Sequence, residues 1–253
     1  MANKIRVTIW NEYAGDQKED YSQKIYPGGI HAVLKEKLAD DDFEITTAYF
    51  EQDERHGLSD ELLDNTDVLI WWGHCLHDEV NPAVVDKVCE RVLDGMGFIP
   101  LHSAHRSLPF RRLLGTSCHL TWREFSGENV HIWTVDPSHP IAEGVPLHFM
   151  LDEEEMYGEY FDIPTPDEIV FISWFKGGNV FRGGITFTRR LGKIFYFHPG
   201  HETIRSYHNE NVIQVIKNAI RWAAPKFKKP LPELAEWQDP LEPMVSTYNP
   251  DEH

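Results

Sequence analysis

The sequence predicts an α/β protein with a mostly parallel sheet, helices on both faces and an antiparallel extension. Three observations predict it. From Lys4 to Gly115, β-rich runs alternate with segments of helical spacing. The run "DVLIWW" is almost wholly apolar after Asp67, as a central parallel strand buried on both faces must be. Later strand runs follow one another with glycine-rich turns and no intervening helix, which is an antiparallel pattern.

In order, "KIRVTIW" (Lys4–Trp10) is a strand, ended by the polar "NEYAGDQKED". "YPGGIHAVLKEKLADD" enters through Pro-Gly-Gly and places Ile30, Val33, Leu34 and Leu38 on one helical face. "FEITTAYF" is the second strand, and "LSDELLDN" a short helix with Ser59 as its N-cap. "TDVLIWWG" is the third strand. "NPAVVDKVCERVLDGM" is a helix with Pro82 in its first turn. "GFIPLH" is the fourth strand and "LPFRRLLG" another short helix. "NVHIWTV", "EIVFISWF" and "NVFRGGITFTRRLGKIFYF" are strands, the last a hairpin. "NENVIQVIKNAIRWAAPKF" closes the domain as a helix. Residues 1–226 therefore form one domain, and 227–253 a C-terminal arm rich in proline and charge.

The 253 residues carry a net charge of −17, which excludes a general nucleic-acid partner because phosphate binding needs a basic surface. No apolar run is long enough for a membrane span, and the N-terminus runs straight into a strand rather than through a signal peptide. Cys75, Cys89 and Cys118 are odd in number and widely spaced, which points to a reducing, cytoplasmic compartment and excludes a cysteine-based zinc knuckle. "GGNVFRGG" lacks the order of a phosphate-binding loop, so no nucleotide site is expected.

In open parallel sheets, ligands bind beyond the carboxyl ends of the strands. Asn11, Glu12 and Tyr13 follow the first strand, with His31 on the next helix; His74, His77, Asp78 and Glu79 follow the third. His102, Ser103, His105 and Ser107 follow the fourth, and His198, His201 and Glu202 the last. Asp78 and Glu79 also suit a helix N-terminus. Imidazoles converging on one crevice repel each other when protonated, unless carboxylates or a metal accompany them. A divalent metal such as zinc takes neutral imidazole as its usual nitrogen ligand. His31, His74, His102 and His201 are the candidate ligands. In the acidic run "DEEEMYGE", Tyr157 and Gly158 make a purely solvated face a poor account. "TWREF" sets Arg123 and Glu124 beside an aromatic ring, for an ion pair or a substrate contact.

The motifs "VTIWNEY", "YPGGIH", "LDNTDVLIWWGH", "LHSAH", "GTSCHLTWRE", "HPIAEGVP", "EEMYGEYFDIP", "VFISWF" and "FYFHPGHE" span Ile5 to Pro225. Through them the chain resembles the ThuA-like (trehalose utilisation protein A-like) family of the class I glutamine amidotransferase-like superfamily. The resemblance implies a flavodoxin-like sheet. It also implies that an activity is missing. Where amidotransferases carry a nucleophilic cysteine on a G-x-C-x-G turn, "PLHSAH" places His102 at the cysteine position, with Ser103 next to it. Their "FHPE"-like motif corresponds to "FHPGHE", two residues longer. Glutamine hydrolysis is therefore not expected.

The family name implies disaccharide catabolism, on keto-sugars supplied by a partner sugar oxidoreductase. The expected chemistry is metal- or histidine-assisted isomerisation or cleavage, with His198, Glu202 and Glu155 as acid/base candidates. The rivals are a non-catalytic sugar-binding or accessory protein and a hydrolase using Ser103 as nucleophile. The expected assembly is a homo-oligomer.

Overall fold

The structure is a computed structural model that describes residues 4–124, 127–226 and 241–242. Most of the C-terminal arm expected over 227–253 lies outside the described residues. The strands are β1 (Ile5–Asn11), β2 (Phe43–Tyr49), β3 (Val68–Trp72), β4 (Gly97–Leu101), β5 (Thr121–Arg123), β6 (Val130–Thr134), β7 (His148–Leu151), β8 (Met156–Gly158), β9 (Glu168–Phe175), β10 (Val180–Arg189) and β11 (Gly192–Phe197). The helices are α1 (Asp20–Ile25), α2 (Ile30–Lys37), α3 (Asp60–Asp64), α4 (Pro82–Leu93), α5 (Leu108–Leu114) and α6 (Glu210–Ala223).

Nine strands form one mixed sheet in the order β2-β1-β3-β4-β11-β10-β9-β6-β7. The first five run parallel; the remainder pair antiparallel, through the expected β10–β11 hairpin. β3 and β4 are buried at every residue, as strands covered on both faces must be. α3, α4 and α5 pack in succession as one helical group, while α2 and α6 both meet the short turn Ser206–His208 in the other.

Local signals set these boundaries. The Ser59 side chain accepts from Leu62 N at the start of α3, and Asn81 from Ala83 N beside Pro82 at the start of α4. Gly115 ends α5 in the left-handed region, with φ +72°. β5, β7 and β8 are additions to the sequence reading. They span three or four residues each, too few to show a period. β5 and β8 pair as a separate two-stranded ribbon.

At Gly97, the first residue of β4, a Cβ would lie 2.7 Å from the Ala223 Cβ and 2.8 Å from the Ala223 carbonyl oxygen. Gly97→Ala should therefore push the end of α6 off the sheet. The expected loss is about 1–3 kcal/mol, the usual cost of overpacking, read as a lower midpoint in urea unfolding.

Candidate functional site

The parallel strands β1, β3, β4 and β11 all end toward one cavity of about 540 Å³. Its lining includes His74, Ser103, Glu155, Tyr157, His201 and Glu202. Each comes from a loop that follows a strand or from the β8 ribbon.

β4 ends in a sharp turn, because His102 adopts φ +51°, a left-handed conformation rare for a side chain of this size. The turn drives the imidazole into the interior, where it is fully buried between Trp72 (ring centroids 6.5 Å) and Tyr157 (4.9 Å). Nδ1 donates to the His198 carbonyl oxygen at 2.9 Å. Nε2 then faces the Glu155 carboxylate at 3.1 Å and the Tyr157 hydroxyl at 3.3 Å. Burial is the largest influence and works against charge on His102, but the hydrogen bond to Glu155 and the charges of Glu155 and Glu154 together outweigh it and raise its pKa above the ordinary value. Burial likewise pushes Glu155 up, and the His102 partner brings it below the usual carboxylate range.

A second pair stands beside the first. His74 Nδ1 lies 3.1 Å from Glu202 Oε1. Burial lowers the His74 pKa, yet the Glu202 bond and charge overcome this and hold it at about 9. Burial raises Glu202, and His74 with His201 bring it down to about 2. His201 completes the group, with Nε2 3.8 Å from Glu202 Oε2 and Nδ1 2.8 Å from the Thr203 hydroxyl. The donor atoms of His74, His201 and Glu202 lie within 4.8 Å of one another, as do those of His102, Glu155 and His201.

Two buried carboxylates hold the loops that carry these groups. Glu12, just after β1, accepts from the backbone N–H of His74, Cys75 and Leu76 at 2.6, 2.9 and 3.1 Å. Glu154 accepts from Gly200 N at 2.9 Å, from His201 N and from the Ser206 hydroxyl. Gly200 is required in that turn: at φ +140°, a Cβ there would meet the Tyr207 hydroxyl at 1.9 Å. The sequence places Glu12 at a strand end but assigns it no role, and Glu154 is hidden in an acidic run.

Other candidates stand apart. His31 is not among the groups whose donor atoms converge; its Nδ1 lies 3.0 Å from the Asn11 side-chain amide, and burial lowers its pKa. His198 is fully buried and does not line the cavity. Its Nε2 donates to the Glu155 carbonyl oxygen at 2.9 Å, and burial lowers its pKa to about 4, so the ring is neutral. One of its ring nitrogens lies within 4.8 Å of donor atoms of His102 and Glu154 in a buried group. Ser103 lines the cavity, but its hydroxyl donates to the Gly73 carbonyl oxygen at 2.6 Å. Arg123 forms an ion pair with Glu128, whereas Glu124 lines the cavity. Among the described residues no helix is long and apolar enough to cross a membrane.

A mostly parallel sheet with a tight turn after β4, opening at its carboxyl edge onto ionisable side chains, defines an α/β protein whose site is built from strand-end loops, here with an imidazole at the turn. Within that class, the chain belongs to the ThuA family, described as trehalose utilisation, whose model matches residues 6–223. A ThuA-like protein from Parabacteroides merdae is similar in structure, with TM-score 0.63 and 15% identity over 91% of this chain and 94% of that one. Another from Bacteroides uniformis gives TM-score 0.60 and 16% identity, covering 87% and 91%. A cytoplasmic protein from Salmonella typhimurium gives 0.56 and 13%, covering 88% and 100%. No curated protein matches the sequence.

The His74–Glu202 pair has a pH signature in metal-free protein. Raising the His74 pKa from 6.5 to about 9 stabilises the fold fully below pH 6.5, and the gain disappears as pH rises to 9. Lowering Glu202 from 4.5 to about 2 adds stability above pH 4.5 that is lost as pH falls to 2. Thermal melts should therefore show a decline from pH 6.5 to 9 that is shallower in His74→Gln. An equal decline in both proteins contradicts the pairing.

Proposed function

We propose that the chain is an enzyme of sugar catabolism that moves protons on a keto-disaccharide, by isomerisation or eliminative cleavage. The observation that carries this reading is the convergence of His74, His201 and Glu202 beside the His102–Glu155 pair in one cavity. Coarse membership in a trehalose utilisation family supports the sugar as substrate class.

His74, His201 and Glu202 would hold a divalent metal such as zinc. The donor set is borderline-soft nitrogen with one carboxylate, which suits zinc. Glu202 Oε2 is buried without a hydrogen-bond partner among the described residues, an acceptor left for a cation. His201 Nδ1 accepts from the Thr203 backbone N–H at 3.2 Å, so a metal at Nε2 would require the ring proton to move to Nδ1, where the Thr203 hydroxyl at 2.8 Å can accept it. When bound, the metal supplies polarisation of a ketone oxygen, which acidifies the neighbouring C–H bond.

The protein's own groups carry the proton. Glu155 is held as a carboxylate and faces the cavity, so it is placed to accept a proton from carbon. His102, bonded to it, stabilises that carboxylate and can return a proton through it. Tyr157, kept un-ionised by burial, places its hydroxyl 3.3 Å from His102 Nε2 in the same corner. His198 lies behind His102 and fixes the ring that the reaction uses. A partner sugar oxidoreductase would generate the ketone.

The Ser103 hydrolase is the weaker reading, because the serine hydroxyl is committed to the Gly73 carbonyl rather than to an imidazole. A non-catalytic sugar-binding protein would need the same cavity but not two imidazole–carboxylate pairs.

Elemental analysis of protein dialysed against zinc should show about one equivalent per chain, falling sharply in His201→Ala. Turnover of a 3-keto-disaccharide, followed by NMR, should fall by about 10²–10⁴-fold in Glu155→Gln with metal content retained. Absence of bound metal together with chelator-insensitive turnover would overturn the metal assignment; sugar binding without turnover would favour the binding protein.

A further inference from the structure

Trp122 lines the same cavity and yet is 65% exposed. Among the described residues no other ring and no cation packs on its indole. A large apolar face left open beside polar groups is suited to a ligand that is itself half apolar and half polar.

Its position relative to the reactive corner is set by β-sheet register. In the β5–β8 ribbon Trp122 stands directly opposite Tyr157. Register partners in an antiparallel pair project to the same side, about 5 Å apart. Tyr157 reaches His102 Nε2 with its hydroxyl. Trp122 is therefore one strand further out than the group that touches the proton-moving pair. That offset is about the width of one pyranose ring.

The platform is also held rigidly. Arg123, the next residue, donates through Nε to the Glu128 carboxylate at 3.0 Å and through Nη1 to the Asn179 side-chain oxygen at 3.1 Å. These bonds tie β5 to the loop before β10, so the indole is presented by a fixed strand rather than by a free loop. Arg106, His119 and Glu124 line the cavity with it and offer donors and acceptors for sugar hydroxyls.

We propose that Trp122 is the stacking platform of a second sugar subsite, so that the cavity takes a two-ring substrate with only its inner ring at Glu155 and Tyr157. The inner ring meets the carboxylate and imidazole groups. The outer ring lays its C–H face on the indole and turns its hydroxyls to the polar rim. This rests on the sugar reading given above, but it makes a separate claim about which residue reads chain length.

The test uses the full chain with trehalose and glucose as unoxidised probes, followed by saturation-transfer NMR and by titration. The wild type should bind trehalose at least tenfold more tightly than glucose. Trp122→Ala should lose that tenfold preference, with glucose affinity unchanged within twofold, and Trp122→Phe should keep part of it. A circular dichroism spectrum and melting temperature matching the wild type show that the variants are folded. Trehalose binding that is unaltered in Trp122→Ala overturns the subsite and leaves the sugar reading standing. Failure of the wild type to bind either sugar overturns both.

Discussion

A carboxylate can be buried only where donors surround it, and four glutamates beneath one cavity impose that condition on much of this molecule. Glu12, Glu154, Glu155 and Glu202 are each at most 6% exposed, in a chain whose net charge is already −17. An unpaired ionised group there would cost several kcal/mol. The fold supplies two kinds of partner. Glu12 and Glu154 take backbone N–H groups, and Glu155 and Glu202 take imidazoles. The loops after β3 and β11 and the turn after β4 are arranged around this requirement.

The parallel half of the fold was open to sequence reasoning, because β3 and β4 are short apolar runs bounded by capped helices. The convergence of His74, His102, His201 and Glu202 was open too, since strand order places their loops at one sheet edge. His31 shows the limit of that logic. Chain order puts it after β1, but the direction of its ring depends on tertiary contact with Asn11, which no local pattern encodes. The left-handed backbone at His102 was equally hidden, because no glycine marks it. β5 and β8 are too short to carry a period, so the ribbon that brings Tyr157 to His102 leaves almost no trace in hydrophobic alternation.

The antiparallel half serves the site from behind. The acidic run, for which the sequence already made a purely solvated face a poor account, follows β7 into the interior, where Glu154 and Glu155 point to different neighbours. One clamps a loop and the other faces the cavity. The loop between β7 and β8 thus divides a single acidic run into a structural group and a reactive one.

The separation between Glu12 or Glu154 and the groups they support has an evolutionary consequence. The carboxylates that hold the loops grip main-chain atoms, which every residue possesses, rather than the side chains displayed to the cavity. Replacing the side chains at positions 74 and 201 therefore leaves those main-chain contacts in place, provided the new side chains still give the buried Glu202 a partner. Such a scaffold can drift from one chemistry to another by single replacements, with the architecture conserved and the reaction renewed.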